Sequence, residues 1–214
     1  MNLRKQQGDL VNIWPAFADV AMFMVLILTF FFFFQFLIIA DRLADRLLVV
    51  NNQQKMRNIF EENFKEEINK TITIEENGNI QRFKFSDRML FDTGKAEIKE
   101  QGKDLLGEVR DILKQNTHLY QRIQIEGYTD DVPINNKNFN SNWQLSSARA
   151  TEIVEFFAPK EKESAETYQD KINPGSLSAT GFSQYQPATS STTETGKAMN
   201  RRIEIVLVYS EKSK

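Results

Sequence analysis

Two sets of residues in this chain have the types and spacing for chemistry. The first is a single carboxylate, Asp19, inside the apolar run from Trp14 to Ala40, where only Pro15, Asp19, Thr29 and Gln35 are not plainly apolar. A charged side chain at that depth of a bilayer costs about 2.5–3.5 kcal/mol on insertion scales, so it marks a functional position, usually on an ion or proton pathway. No basic residue lies close enough in the run to pair with it. The second set is three polar clusters: Tyr128-Thr129-Asp130-Asp131-Val132-Pro133; Ser141 to Ala150, containing Asn142, Leu145, Ser146 and Arg149; and Met199-Asn200-Arg201-Arg202-Ile203-Glu204. Asn142, Leu145 and Arg149 are spaced three and four apart, along one face of a helix near its N-terminus. Free backbone N–H groups there favour an anion. A guanidinium grips a carboxylate with two parallel hydrogen bonds, and a carboxylate at a strand end can hold an ammonium. Such a set could recognise a zwitterion; an Asp–Arg structural salt bridge is the alternative.

Other chemistry is thinly supplied. Cysteine is absent, which removes disulfides, thiolate metal sites and cysteine nucleophiles. The single histidine, His118, follows a helical pattern in polar surroundings and reads as a surface residue. Gly94-Lys95 and Gly196-Lys197 lack the lead-in and following hydroxyl of a phosphate-cradling loop. Net charge is −2, with no global basic footprint for nucleic acid. Neither enzyme activity, cofactor nor metal is expected.

The elements that must position these groups follow from periodicity. The 27 residues from Trp14 to Ala40 make a helix of about 40 Å, longer than the ~30 Å hydrocarbon core. The run is too long for the apolar core of a signal peptide and contains a carboxylate, so a retained membrane helix is expected. Arg4 and Lys5 before it balance Arg42 and Arg46 after it, and charge alone leaves the orientation open. Phe30 to Phe34 covers every helix face and reads as lipid contact and helix packing.

From residue 41 to 70, Leu43, Leu47, Val50, Met56, Ile59, Phe60, Phe64 and Ile68 recur at helical steps. This predicts a stalk whose apolar stripe could pack on a second copy in a homodimer. Alternation from Thr71 to Phe85 around Glu76-Asn77-Gly78-Asn79 predicts a hairpin. Helices are expected over 95–114 and 143–157, and strands over 120–128, 177–182 and 202–209. The fold class is α+β: a single N-terminal transmembrane helix, a helical stalk, and a small α/β sandwich with helices on one face. The expected divisions are a cytoplasmic tail 1–13, a membrane helix 14–40, a stalk 41–70 and a domain 71–214.

The clusters resemble the OmpA-like peptidoglycan-binding family. Its marks here are Thr129-Asp130, Leu145-Ser146-Ser147-Ala148-Arg149-Ala150 and Asn200-Arg201-Arg202-Ile203-Glu204-Ile205, with Leu90 to Ala96 similar to the family's opening segment. The resemblance spans about residues 85–209. It implies that Asp130 and Arg149 grip the zwitterionic centre of diaminopimelate in a cell-wall stem peptide, with Thr129, Asn142, Leu145, Ser146, Asn200 and Arg201 in the same site. It also implies a periplasmic domain, and hence a cytoplasmic N-terminus.

An OmpA-like domain behind one membrane helix with an early aspartate resembles the B subunits of ion-driven rotary motors. Trp14 to Met22 and Ser141-Asn142-Trp143-Gln144-Leu145-Ser146 carry that likeness. It implies two B subunits held by peptidoglycan inside a ring of five A-type subunits (ZorA- or MotA-like), with Asp19 binding and releasing protons in the inner membrane. The short, proline-free connection departs from the flagellar MotB pattern and looks more like the ZorB family of the Zorya anti-phage system. A flagellar stator subunit and a passive peptidoglycan tether are the alternatives.

Overall fold

The computed structural model describes residues 13–68, 71–158 and 172–210. The expected cytoplasmic tail, with Arg4 and Lys5, lies outside the described residues apart from Ile13. Two compact units divide at Arg46 and Leu47.

Helix α1 runs from Trp14 to Asn63. Within the first unit its side chains from Trp14 to Ala40 are almost all exposed around the full circumference, Asp19 among them. A helix that is apolar on every side suits lipid or neighbouring membrane helices rather than water. By length and composition α1 can cross a membrane. The Thr29 hydroxyl donates to the Val25 carbonyl at 2.7 Å and so hides its own polarity.

The second unit is a five-stranded sheet backed by helices on one face. Its strands are β1 (Ile72–Asn77), β2 (Ile80–Ser86), β3 (Arg122–Tyr128), β4 (Leu177–Gly181) and β5 (Arg202–Val208), in the order β1-β2-β5-β3-β4. The hairpin expected at Glu76 to Asn79 closes with Asn77 opposite Ile80, and Gly78 takes a left-handed φ of 60° at the first turn position, where glycine is favoured. The β5 strand lies antiparallel to both β2 and β3, while β3 and β4 are parallel. Parallel neighbours need a crossover, supplied by α4 (Asn142–Phe157). Strand parity sends Phe83, Phe85, Ile123, Ile125, Ile203, Ile205 and Leu207 into one core with Leu106, Val109 and Leu113 of α3 (Glu100–Gln115) and Ile153 and Phe157 of α4. Helix α4 sits very close to the sheet: a Cβ on Gly127 would come 2.2 Å from the Ser146 carbonyl oxygen.

Two short helices, α2 (Asp87–Leu90) and α5 (Glu194–Asn200), were not expected from periodicity. Each is about one or two turns, too short to show a 3.6-residue pattern.

The expected stalk differs in its second half. From Val49 onward α1 belongs to the sheet domain. Met56 and Phe60 are wholly buried, Phe64 nearly so, and the Phe60 and Phe83 rings lie 4.0 Å apart. Polar contacts fix the same face: Gln53 Nε2 donates to the Gly78 carbonyl at 3.1 Å, and Gln81 Nε2 to the Gln53 carbonyl at 3.0 Å. The domain therefore begins at Leu47 rather than at residue 71, and only Leu43, Leu47 and Val50 of the stripe stay exposed for a second copy. Phe60→Ala is expected to cost about 3–5 kcal/mol of domain stability, measured by urea unfolding. A free stalk would leave stability unchanged.

The opposite sheet face carries an ion network. Arg82 Nη1 donates to Glu126 Oε2 at 2.6 Å and to Glu204 Oε2 at 2.8 Å. Arg202 Nε donates to Glu204 Oε1 at 2.6 Å, and its guanidinium lies 3.7 Å from the Tyr128 ring centroid. Two buried carboxylates beside each other would repel; the two guanidinium groups, one of them half-buried, balance them. Burial and the Glu126 hydrogen bond push the Tyr128 phenol well above its ordinary range.

Candidate functional site

Two strand ends and two helix starts bound a cavity of about 540 Å³, lined by Asp87, Phe91, Thr129, Asp130, Asn142, Leu145, Arg149 and Arg201 among others. Thr129 and Asp130 follow β3 directly. Ser141 caps α4 by accepting from the Gln144 N–H at 3.3 Å, a standard arrangement for an exposed helix start. The α4 start then places Asn142, Leu145 and Arg149 on the cavity side, as their three- and four-residue spacing requires. Asn142 Nδ2 donates to the carbonyls of Asp130 (3.3 Å) and Val132 (2.9 Å), and so ties the helix to the Asp130 loop.

Asp130 and Arg149 are not paired with each other. Asp130 bonds Arg201 through Oδ2 and accepts from the Val132 N–H at 3.2 Å through Oδ1. Arg149, 2% exposed, donates from Nη1 to Asp87 Oδ2 at 3.0 Å, from Nε to the Lys95 carbonyl at 2.9 Å and from Nη2 to the Asp92 carbonyl at 3.3 Å. It also stacks over Phe91, 5.0 Å from the ring centroid. Arg201 Nε stands 3.9 Å from Asp87 Oδ1. Four charges thus alternate in sign along the wall: Asp130, Arg201, Asp87, Arg149. Burial raises the Asp87 carboxyl above its ordinary range, against the opposing pull of Arg149 and Arg201. Its Oδ1 is buried with no hydrogen-bond partner among the described residues, a costly state for a carboxylate oxygen.

Of the eight residues expected in the site, Thr129, Asp130, Asn142, Leu145, Arg149 and Arg201 line the cavity. Ser146 and Asn200 do not. Ser146 is buried on the sheet-facing side of α4, against Gly127 and Gly181, where its hydroxyl donates to the Trp143 carbonyl and accepts from the Ser183 N–H at 3.1 Å. Asn200 is buried and clasps a loop: its Nδ2 donates to the Thr189 carbonyl at 2.9 Å and its Oδ1 accepts from the Thr189 N–H at 3.0 Å. Both shape the walls without facing the cavity. Of the two adjacent arginines, Arg201 lines the cavity while Arg202, on β5, turns to the ion network on the other sheet face.

Asp87 is the residue that sequence reasoning missed. The signal was present in parity: Phe83, Phe85 and Asp87 fall on the same side of β2 and its continuation. A carboxylate in register with core phenylalanines needs a buried cation.

The chain matches the OmpA family over residues 90–201, just over half its length. It is 34% identical over 122 residues to Motility protein B of Bacillus subtilis, covering 57% of this chain and 42% of that protein; the chain thus spans less than half the length of this relative. Among solved structures, it is similar to a MotB-like protein from Desulfovibrio vulgaris, at TM-score 0.65 and 26% identity over 77% of this chain and 98% of that one. It also shares the fold of the cell wall anchor of the T6SS from Pseudomonas aeruginosa, at TM-score 0.59 and 23% identity over 72% of this chain and 97% of that one. Geometry, motif placement and the extent of the match agree that this chain belongs to the OmpA family.

Proposed function

We propose that the cavity grips the zwitterionic end of diaminopimelate in a peptidoglycan stem peptide, and that the chain is the wall-anchored B subunit of an ion-driven rotary motor. The observation that carries the first part is the alternating wall Asp130, Arg201, Asp87, Arg149 around a cavity of about 540 Å³. The far end of the diaminopimelate side chain bears one ammonium and one carboxylate. Asp130 holds the ammonium, and Arg149, with more N–H donors than its three protein bonds use, holds the carboxylate. Leu145 and Phe91 flank the methylene stem. Because the ion pairs already exist without ligand, the charges are oriented before binding, which reduces the ordering cost of association.

The second part rests on Asp19. Trp14 to Ala40 crosses the inner membrane once, with the N-terminus in the cytoplasm and the sheet domain in the periplasm. Two copies stand inside a ring of five A-type (ZorA- or MotA-like) subunits, and Asp19 takes up and releases the proton that drives rotation. One elementary charge crossing 100 mV supplies about 2.3 kcal/mol. The sequence between Ala40 and the start of the compact domain at Leu47 is only six residues, which favours a ZorB-like role in anti-phage defence. The 34% identity with Motility protein B favours the flagellar stator as a second reading.

Asp130→Ala tests the wall site with little risk to the fold, since its partner Arg201 keeps 19% of its side chain exposed and can turn to water. Full-length chain in detergent should co-sediment with isolated sacculi, and the variant should lose about tenfold in affinity, the worth of one charge-assisted hydrogen bond of about 1.5 kcal/mol. Equal sedimentation of the two would remove Asp130 from the site.

A further inference from the structure

Trp143 and Tyr185 are the only aromatic residues of the sheet domain that are exposed among the described residues, at 49% and 65%. Their rings stack with centroids 5.4 Å apart and planes 27° from parallel. Exposed aromatic pairs of this kind are not needed by the core, which closes without them.

Their placement is built. Trp143 stands in the first turn of α4, directly after the cavity residue Asn142. Tyr185 follows Ser183, a non-glycine residue held at a left-handed φ of 54°. That conformation is uncommon outside glycine and persists only when its surroundings enforce it. Here Ser146 Oγ accepts from the Ser183 N–H, the Ser183 carbonyl accepts from the Thr129 N–H at 2.9 Å, and Gln184 Oε1 accepts from Asn142 Nδ2 at 3.2 Å. The turn that carries Tyr185 is thus tied to both Thr129 and Asn142, two residues of the cavity wall.

The chemistry around the pair differs from that of the cavity. Residues 138–148 and 182–193 contain no charged side chain. They supply amides instead: Asn140, Gln144 and Gln184. A flat aromatic face bears partial negative charge and suits the C–H face of a pyranose, while amides suit hydroxyl and N-acetyl groups. We propose that Trp143 and Tyr185 form a stacking platform for a neutral N-acetylated sugar ring of the glycan strand to which the stem peptide is attached. The inference rests on the stem-peptide reading. Diaminopimelate is the third residue of that peptide. Three α-linked residues span at most about 10–11 Å, and the γ-linkage of the D-Glu lengthens the path by only two carbons, so a ligand seated in the cavity carries its sugar a short way along the surface.

The test uses the full chain in detergent micelles and three ligands: the free tripeptide L-Ala-γ-D-Glu-meso-diaminopimelate, the same peptide on the disaccharide N-acetylglucosaminyl-N-acetylmuramic acid, and the disaccharide alone with its lactyl carboxylate capped as the amide. The double variant Trp143→Ala/Tyr185→Ala should bind the disaccharide-peptide about tenfold more weakly and the free tripeptide as well as wild type does. Trp143→Phe/Tyr185→Phe, which keeps both ring faces, should restore most of the loss. Unchanged affinity for the disaccharide-peptide, or an equal loss for both peptides, overturns the platform, and the aromatic pair then serves a protein partner or the cavity's shape. If wild type ignores the free tripeptide, the stem-peptide reading fails separately. The platform is then judged on the disaccharide alone: binding lost in the double alanine variant supports it, and no binding by wild type overturns it.

Discussion

Asp19→Asn should abolish the physiological output, phage protection or motility, while leaving the amount of protein in the membrane and its sedimentation with sacculi at wild-type levels. Asparagine has nearly the same size as aspartate and no charge to insert, so the variant has no added barrier to membrane entry. It cannot bind and release a proton at that position, so the loss is expected to be complete rather than graded. A passive tether makes the opposite prediction, since its only task is to join membrane and wall. The readouts are efficiency of plating or swimming rate, taken beside immunoblots of the membrane fraction. Retained output would detach Asp19 from function and leave the anchor alone.

Arg149→Ala should act strongly on two measurements at once, stability and wall binding. It strips Asp87 of its hydrogen-bonded partner at a buried position, and breaking such a pair costs about 3–5 kcal/mol, a large part of the 5–15 kcal/mol that holds a typical domain together. Wall binding is lost with it. Loss of binding in this variant therefore does not by itself separate contact from collapse. Asp87→Asn combined with Arg149→Gln removes both charges and should recover much of the stability but none of the binding. Unfolding by urea, followed through the near-ultraviolet signal of the aromatic residues, gives the first number; sacculus sedimentation gives the second. Recovery of binding in the double variant would mean that Arg149 only supports the fold.

Much of the molecule was legible in the chain. Strand parity placed the core faces of β2, β3 and β5, and helical spacing put Asn142, Leu145 and Arg149 on one face. What parity and spacing do not carry is which partner a charge takes. Asp130 and Arg149 stand in one cavity, yet Asp130 bonds Arg201 and Arg149 bonds Asp87, because the chain ends of β2, β3 and β5 meet there. The stripe from Met56 to Phe64 was visible as apolar, but periodicity shows only that a face is covered. Here the cover is Phe83 and the sheet of the same chain. Ser146 and Asn200 sit inside recognisable motifs for a structural reason: they pin the 183 and 189 loops.

The cavity's claim to read two opposite charges on one side chain is tested most directly by comparing two peptides that differ at a single residue. Full-length protein in detergent is titrated with L-Ala-γ-D-Glu-meso-diaminopimelate and with the same tripeptide bearing L-lysine, which keeps an ammonium and lacks the side-chain carboxylate. The lysine peptide should bind at least tenfold more weakly, because it lacks the carboxylate that Arg149 would hold and such a charge-assisted bond is worth about 1.5–3 kcal/mol. Equal affinity for the two peptides would contradict it.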